Sequence, residues 1–362
     1  MDRNRLYVDF HVLQTVPPSC VNRDDTGSPK TAVYGGTTRA RVSSQAWKHA
    51  MREMFREELL DGRLVGERTK KVLQLLEREI ETMAPEKDAE SLAKKVLEYV
   101  GLKLEKKDKK ETGNVETLFF LSHDQVKGLA QLAVEDCKDK KMYQSTLREM
   151  PSVDMALFGR MVAADPSLNY DAAAQVAHSI STHKVQNEYD YFTAVDDCAP
   201  EDSAGAGHLG TVEYNSSTLY RYATVNVLEL TSHIGKNEAV NAVRVFAEAF
   251  IRSMPTGKQN TFANRTLPDA VYVTIRNDQP VNLCGAFEKA VAAGAEGGYV
   301  APSKKRLLTY AQEVYEAYTG IPAQSFAIGS GMEALAPVMP LGELLTALEY
   351  NITEYLSGKE VE

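Results

Sequence analysis

Residues 17–52 read PPSCVNRDDTGSPKTAVYGGTTRARVSSQAWKHAMR and set cations among glycines. Arg23, Lys30, Arg39 and Arg41 surround Gly35 and Gly36. Ser43, Ser44, Gln45 and Lys48 follow, where an apolar stripe at helical spacing begins. This combination suits phosphate. Glycine lets a backbone N–H come close to an anion, and the first turn of a helix offers free N–H groups at the positive end of its dipole. A second basic and polar run, GKQN at 257–260, offers the same chemistry. Such contacts reach phosphate and sugar and carry no sequence information. The same residues read equally well as a capped helix flanked by surface arginines.

Catalytic chemistry has thinner support. NRDD (22–25), VDD (195–197) and EDS (201–203) hold carboxylates that can bind a divalent cation for phosphodiester cleavage. Asp-rich loops more often make turns and caps. The seven histidines include no HExxH, and His178 and His183 fall on opposite faces of an expected strand. Cys20, Cys137, Cys198 and Cys284 form no CxxC pair. That speaks against a zinc site or a disulfide framework and fits a reduced compartment. Neither GxxxxGKS nor GxxxxGKT occurs, nor GxGxxG after a strand. No metal or cofactor is expected.

The elements that must position these residues follow from periodicity. The chain has 362 residues and a formal net charge of −9, with 43% hydrophobic and 25% charged residues, an ordinary globular balance. A net negative chain is a poor bulk polyanion binder, so the local basicity of 17–52 is what counts. No stretch reaches the roughly 18 apolar residues of a membrane span, and a cytoplasmic location is expected. RLYVDFHVL (5–13) sets Leu6, Val8, Phe10 and Val12 against Tyr7, Asp9 and His11, which predicts a half-buried strand. Ala46, Trp47, Ala50, Met51, Met54 and Phe55 predict a helix capped by Ser43 or Ser44. Residues 57–150 read as mostly helical, with a capping box at SHDQ (122–125). Lysine runs at 106–111 and 138–141 read as solvated helical surface. Strands are expected at 175–185, 217–230 and 270–275, with a long hairpin or protrusion between the first two. Helices are expected from a cap at Asn237, over 304–320 and over 341–356. Without the helical insertion and the protrusion the order is β-α-β-β-α-β, the ferredoxin-like order that RNA-recognition domains share.

One pattern has a specific match. PSCxNRDDxGxxKxAxxGGxxRxRxSSQxxKxxxR (18–52) resembles the N-terminal signature of the CasC (Cse4) family, the backbone subunits of Cascade, the type I-E CRISPR surveillance complex. FGRM (158–161), AHSISTH (177–183), DYFTAVDD (190–197), HLGTVEYNSSTLYRYATVNV (208–227) and GKQNTFANRTLPDAV (257–271) match in the family's order. The resemblance spans the chain and covers 57–150 only by position and character. It implies an α+β fold shaped like a right hand. A modified RNA-recognition (RRM, ferredoxin-like) palm would take 1–56, 159–194 and 219–362, helical fingers 57–158 and a long β-hairpin thumb 195–218. It further implies a non-catalytic protein whose copies stack head to tail, as a hexameric backbone, along the spacer of a CRISPR RNA (crRNA). They would kink that RNA at regular intervals and present the bases between kinks to a target DNA strand in antiviral defence. Other partners would be the large, small, 5′-handle-binding and crRNA-processing subunits of Cascade.

Residue by residue, the resemblance puts Asn22, Arg23 and Lys30 beside the RNA. Arg39, Arg41, Ser43, Ser44, Gln45, Lys48 and Arg52 match the phosphate-contacting segment. Lys48 and Arg52 are one helical turn apart and can share one phosphate track. The family's consecutive Lys-Arg is Lys48-His49 here, which makes the second charge pH-dependent. Met161, Phe192 and Thr193 match the residues that wedge at the kink, where unstacked base faces need apolar cover. Lys258, Gln259 and Asn260 match a further backbone-contacting loop. Lys138, Lys140 and Lys141 lie where relatives carry a lysine-rich patch that engages DNA. Asp24 and Asp25 keep one alternative open, a metal-dependent ribonuclease backbone subunit that cuts RNA from its first long loop.

Overall fold

A computed structural model of the chain describes residues 5–107, 110–162, 165–194 and 208–358. The fold is mixed α+β. It begins with β1 (Tyr7–Ser19), β2 (Thr31–Tyr34), β3 (Thr37–Val42) and α1 (Ser44–Met54). Next come β4 (Glu67–Thr69), α2 (Val72–Met83), α3 (Ala89–Val100), β5 (Leu104–Lys107), β6 (Lys110–Val115) and β7 (Phe119–Leu121). The helices α4 (His123–Val134), α5 (Lys140–Arg148) and α6 (Val153–Phe158) follow. Then come β8 (Ala174–Val176), β9 (Ser179–Ser181), β10 (Glu188–Ala194) and β11 (His208–Asn226). After them stand α7 (Val227–Ile234), α8 (Lys236–Arg252) and the one-turn α9 (Gln259–Phe262). The last elements are β12 (Ala270–Arg276), α10 (Val300–Val314), β13 (Gln324–Ile328) and α11 (Leu341–Leu356). Among the described residues no helix is long and apolar enough to cross a membrane.

The chain divides into two compact units. One comprises Met1–Met51, Val176–Thr224 and Phe246–Asn351 and is built on a large sheet. Its strands stand in the order β13-β12-β1-β11-β9-β3-β2, with β10 paired to β11. The pairs β1–β12, β12–β13, β9–β11, β3–β9, β2–β3 and β10–β11 are antiparallel. Alternation predicts a half-buried first strand, but β1 is buried on both faces from Val8 to Gln14. Its polar face tolerates burial because it is hydrogen-bonded. Asp9 accepts from the Tyr222 hydroxyl at 3.0 Å and from the Val281 N–H at 2.8 Å. His11 Nδ1 pairs with the Tyr220 hydroxyl at 2.8 Å. Gln14 Oε1 accepts from Arg221 at 2.6 Å. The Arg221 guanidinium lies 3.7 Å from the Trp47 ring, and burial pulls its pKa down to about 9. Trp47 fastens α1 to β9 by donating its indole N–H to Ser179 Oγ at 2.9 Å.

Three expected boundaries shift. The stretch 175–185 forms two short strands, β8 and β9, rather than one. The strand expected to 230 ends at Asn226, whose side chain accepts the Glu229 N–H at 3.2 Å and starts α7. Asn237 lies inside the first turn of α8 instead of capping it. Of the expected thumb, 195–207 lie outside the described residues. The strands beside it pair from Glu188↔Tyr214 to Ala194↔His208.

The other unit comprises Arg52–Gln175, Val225–Val245 and Ile352–Glu362. Here α2, α3, α4 and α5 enclose an apolar core that includes Leu76, Ile80, Ala93, Val96, Leu129 and Leu147. Ser122 and Gln125 form the expected capping box. Of the lysine run at 106–111, expected on a helix, Lys106 and Lys107 lie on β5 and pair with Glu111 and Lys110 of β6, while 108–109 lie outside the described residues. Its lysines supply no apolar stripe for a helix to bury, whereas Leu104 pairs with Val115 across the strands and Gly113 takes a φ of +76°.

Two buried titratable groups on β1 act in opposite directions. Burial, helped by the Arg276 charge, holds His11 at about 3, and burial raises the Asp9 carboxyl to about 6. An unfolded imidazole takes its proton near 6.5, so the stability tied to His11 is full above about pH 6.5 and is lost as pH falls toward 3. The Asp9 contribution is present below about pH 3.8 and is lost as pH rises through 6. Relative to the wild type, His11→Phe should therefore gain about 1 kcal/mol per pH unit on acidification from about pH 6 to 4. Urea midpoints across that range check this; parallel pH profiles would refute it.

Candidate nucleic-acid interface

The basic stretch is more ordered than its composition suggests. β2 and β3 pair from Thr31↔Ala40 to Tyr34↔Thr37, and Gly35 and Gly36 close the turn with φ of +57° and +73°. Two positive φ values give the turn whose twist matches a β-hairpin. Gly35 is required twice over, since a Cβ there would sit 1.6 Å from the Glu288 carbonyl oxygen. The close approach expected of this glycine is thus to protein, not to an anion. Gly36 has open space around it.

The two arginines of β3 meet different fates. Arg39 is fully buried. Its Nη1 donates to the Ser181 and Thr182 carbonyls at 2.8 and 3.0 Å, and its Nη2 to the Phe287 and Glu288 carbonyls at 3.0 and 3.1 Å. The expected phosphate contact is corrected: Arg39 clamps the hairpin. Arg41 is half-buried and faces outward. Its Nε donates to the Thr31 carbonyl at 3.1 Å and its Nη1 to His178 Nδ1 at 3.2 Å. A guanidinium has no acceptor, so His178 presents Nδ1 without a proton. Burial and then the charges of Arg41 and Lys30 hold His178 below the usual imidazole value. Arg52 is spent within the helical unit. Its Nε donates to Asp154 Oδ2 at 2.6 Å and its Nη2 to the Gly66 carbonyl at 3.1 Å. The shared phosphate track expected of Lys48 and Arg52 is corrected accordingly, while Lys48 is half-buried on α1.

Asn22 and Ser43 tie the loop to the helix. Asn22 Oδ1 accepts the Ser43 N–H at 2.9 Å, and Ser43 Oγ accepts the Ala46 N–H at 3.2 Å, which makes Ser43 the cap. Ser44 Oγ reaches Gln45 Oε1 at 3.4 Å, and Gln45 is exposed. Arg23 is exposed and Lys30 half-buried. Asp24 closes the turn between them. Its Oδ1 accepts from the Thr26 hydroxyl at 2.7 Å and from the N–H groups of Thr26 and Ser28 at 2.9 and 3.0 Å. The Thr26 hydroxyl chiefly holds that carboxyl below its usual range. Asp25 is exposed beside it. Among the described residues no group of three His, Cys, Asp or Glu could hold a metal ion.

A distant loop joins this surface. At Gly257 a Cβ would sit 2.0 Å from the Val21 carbonyl oxygen, so the loop lies flat against the end of the basic stretch. Lys258 follows with a φ of +52°, and Gln259 and Asn260 are exposed on α9. Burial pushes the Cys20 thiol up, and the charges of Arg23 and Lys258 pull it back. Asp24 and Glu213 push the same thiol up again. Both cations therefore act on one sulfur although they are far apart in the chain. The structure gathers Arg23, Lys30, Arg41 and Lys258 near the start of α1. His178, the partner of Arg41, reads in the sequence only as one of two histidines on opposite faces of a strand, because nothing in its spacing ties it to Arg41.

The remaining candidates stand on other elements. β10 is exposed along its length. On it, Phe192 opposes Gly210, and the ring covers that glycine, where a Cβ would sit 2.4 Å from it. Thr193 is exposed next to it. Tyr189 and Tyr191 on the same strand are also exposed and were missed. Met161 belongs to the helical unit and is 88% exposed. Lys138 stands 3.6 Å from Asp136, and Lys140 and Lys141 open α5, which Asp139 caps at 2.9 Å from the Lys141 N–H. All three lysines are exposed. Cations in a first helical turn oppose the dipole, so they do not serve the helix.

Arg39→Ala would remove the buried donor shared by four carbonyls, of which Thr182 keeps the Val291 N–H at 2.9 Å, and should cost about 3 kcal/mol or more. Arg41→Ala should cost under about 1 kcal/mol. Urea melts of the two variants check this, and equal costs would mean that Arg39 is no clamp.

A model of the family described as CT1975-like protein matches residues 8–349. Among solved structures, a chain titled "CRISPR RNA-guided surveillance complex, pre-nicking" is 33% identical with a TM-score of 0.83; the match covers 96% of this chain and 100% of that one. A second, titled "CRISPR RNA-guided surveillance complex", is 29% identical with a TM-score of 0.61 over 94% of this chain and 99% of that one. No curated protein sequence matches the chain.

Proposed function

Since the chain belongs to the CT1975-like protein family, we propose that it is a guide-RNA-binding subunit of a CRISPR surveillance complex. The observation that carries this is the convergence of Arg23, Lys30, Arg41 and Lys258 near the start of α1. Cations placed there suit a sugar-phosphate backbone held without regard to sequence. The exposed aromatics of β10 suit unstacked bases.

The finer reading follows the CasC resemblance. The chain is a backbone subunit of a type I-E Cascade in the cytoplasm, and its copies line the crRNA spacer head to tail. Such a heterologous contact does not close on itself, so RNA length sets the copy number. The subunit kinks the RNA and leaves bases free for target DNA. The strand order supports a modified ferredoxin-like palm. β12, β1, β11 and β9 are neighbours, α1 falls between β1 and β9 in the chain, and α8 between β11 and β12. A non-catalytic role is supported by Asp24, whose Oδ1 accepts three hydrogen bonds that shape its own turn.

The test is co-expression of the tagged chain with a crRNA and its sister subunits, followed by native mass spectrometry. One RNA with several copies of this chain is expected. An RNA-free chain after low-salt isolation would overturn the reading. Arg41→Glu should weaken RNA retention by about ten-fold and flatten its salt dependence. Incubation with matched target RNA and Mg²⁺ should yield no cleavage. Products that vanish in Asp24→Ala would establish a ribonuclease instead.

A further inference from the structure

A narrow slot opens in the sheet unit beside Arg41. It holds about 20 Å³ and is lined by Asn22, Lys30, Arg41, Asn215 and Ser217, among others. That is room for a group the size of one water molecule. Its walls come from the end of β1, the β2–β3 hairpin and β11, all within one compact unit. Asn215 and Ser217 are only 7% and 6% exposed, so an unanswered polar atom on either is costly.

A short relay fixes which atoms the walls offer. Glu213 Oε2 accepts from Asn187 Nδ2 at 3.2 Å. An ionised carboxylate can only accept, so this bond orients the Asn187 amide. Asn187 Oδ1 then accepts from Asn215 Nδ2 at 3.0 Å, which leaves Asn215 Oδ1 as an acceptor. Asn22 is set the other way. Its Oδ1 is taken by the Ser43 N–H at 2.9 Å, which leaves Nδ2 as a donor. The Ser217 hydroxyl can act in either sense and has no hydrogen-bond partner among the described residues. Arg41 commits Nε and Nη1 to Thr31 and His178 and keeps Nη2. No carboxylate lines the slot.

These features select a ligand by size and by hydrogen bonding. A phosphate group is too large for the slot, and its oxygens would meet the Asn215 acceptor. A base is larger still. A methyl group would fit and leave Ser217 and both amides unanswered. A hydroxyl fits, and it both donates and accepts. On a nucleotide whose phosphate lies among cations, the hydroxyl within reach is the ribose 2′-OH, which DNA lacks. We propose that the slot takes the 2′-hydroxyl of a nucleotide whose phosphate rests on Arg41 and Lys30, so that Asn215 and Ser217 select ribose over deoxyribose. The inference rests on the RNA-binding reading above and adds a sugar specificity that the cations alone do not supply.

The test uses the complete complex, reconstituted on synthetic guides of one sequence whose spacers carry ribose, 2′-deoxyribose or 2′-fluoro sugars. Retention of each guide on dilution is measured. The ribose spacer should be held about ten-fold or more better than the 2′-deoxy spacer, because a missing hydroxyl leaves the slot's polar walls unpaired. The 2′-fluoro spacer keeps the RNA sugar pucker but cannot donate, and it should behave like the 2′-deoxy one. Ser217→Ala deletes the hydroxyl, and Ser217→Thr fills the slot with a methyl. Each should bring the ribose preference close to parity, while the salt dependence set by the phosphate contacts stays unchanged. Unchanged urea midpoints check the fold of both variants. Equal retention of the three spacers by the wild type would overturn the slot and leave the RNA-binding reading standing, as would a preference that survives both variants. A 2′-fluoro spacer held as well as ribose would also overturn it, since sugar shape and not the hydroxyl would then be read. A complex that holds no guide of any sugar would overturn both readings.

Discussion

The Arg39 guanidinium, wholly buried, holds the carbonyls of Ser181, Thr182, Phe287 and Glu288. Much of the sheet unit's surface follows from this one cation. It draws the β2–β3 hairpin against residues 287–288, and the turn then comes so close to Glu288 that only glycine fits at position 35. With Arg39 fixed inward, Arg41 emerges two residues later at the edge, where Thr31 and His178 aim it. Had the hairpin floated free, the outer arginine would bring its charge at a large cost in side-chain entropy.

The same device recurs in the other unit. Arg160 is buried there and gathers the carbonyls of Phe120, Leu147 and Leu168 from three separate segments. Burial pulls its pKa down to about 10. Arg221 likewise donates to the Phe250 carbonyl from under the Trp47 ring. A guanidinium suits this work because it presents five donors in a fixed fork and remains charged. Part of the chain's basic content is therefore architecture. Counting arginines overstates the charge left for a polyanion.

How much of this was legible depended on whether a residue's role is local. β12 was legible as a short, β-branched apolar run, α11 because its apolar residues repeat at helical spacing, and the α4 capping box because Ser122 and Gln125 are three apart. The apolar run after Asn226 suits a strand or a helix, and only the cap hydrogen bond decides. The pair of glycines in YGGT is a hairpin signal, but the polar residues around it read as loop. Arg39 and Arg41 could not be told apart, being the same residue type two positions apart on one strand. Which of them is buried depends on residues 181–182 and 287–288, far along the chain. Gly257 is similar: its reason is the Val21 carbonyl, which no local pattern announces.

The clamp and the charged surface respond differently to brine. Carbonyl oxygens do not titrate, and a buried guanidinium held by them is poorly screened by mobile ions. The exposed charges of Arg23 and the outer loops are screened readily. Concentrated salt therefore weakens whatever attraction these exposed charges exert while leaving the scaffold's buried hydrogen bonds in place. The charged surface and the scaffold beneath it are thus made of different bonds, and salt acts on the one without loosening the other.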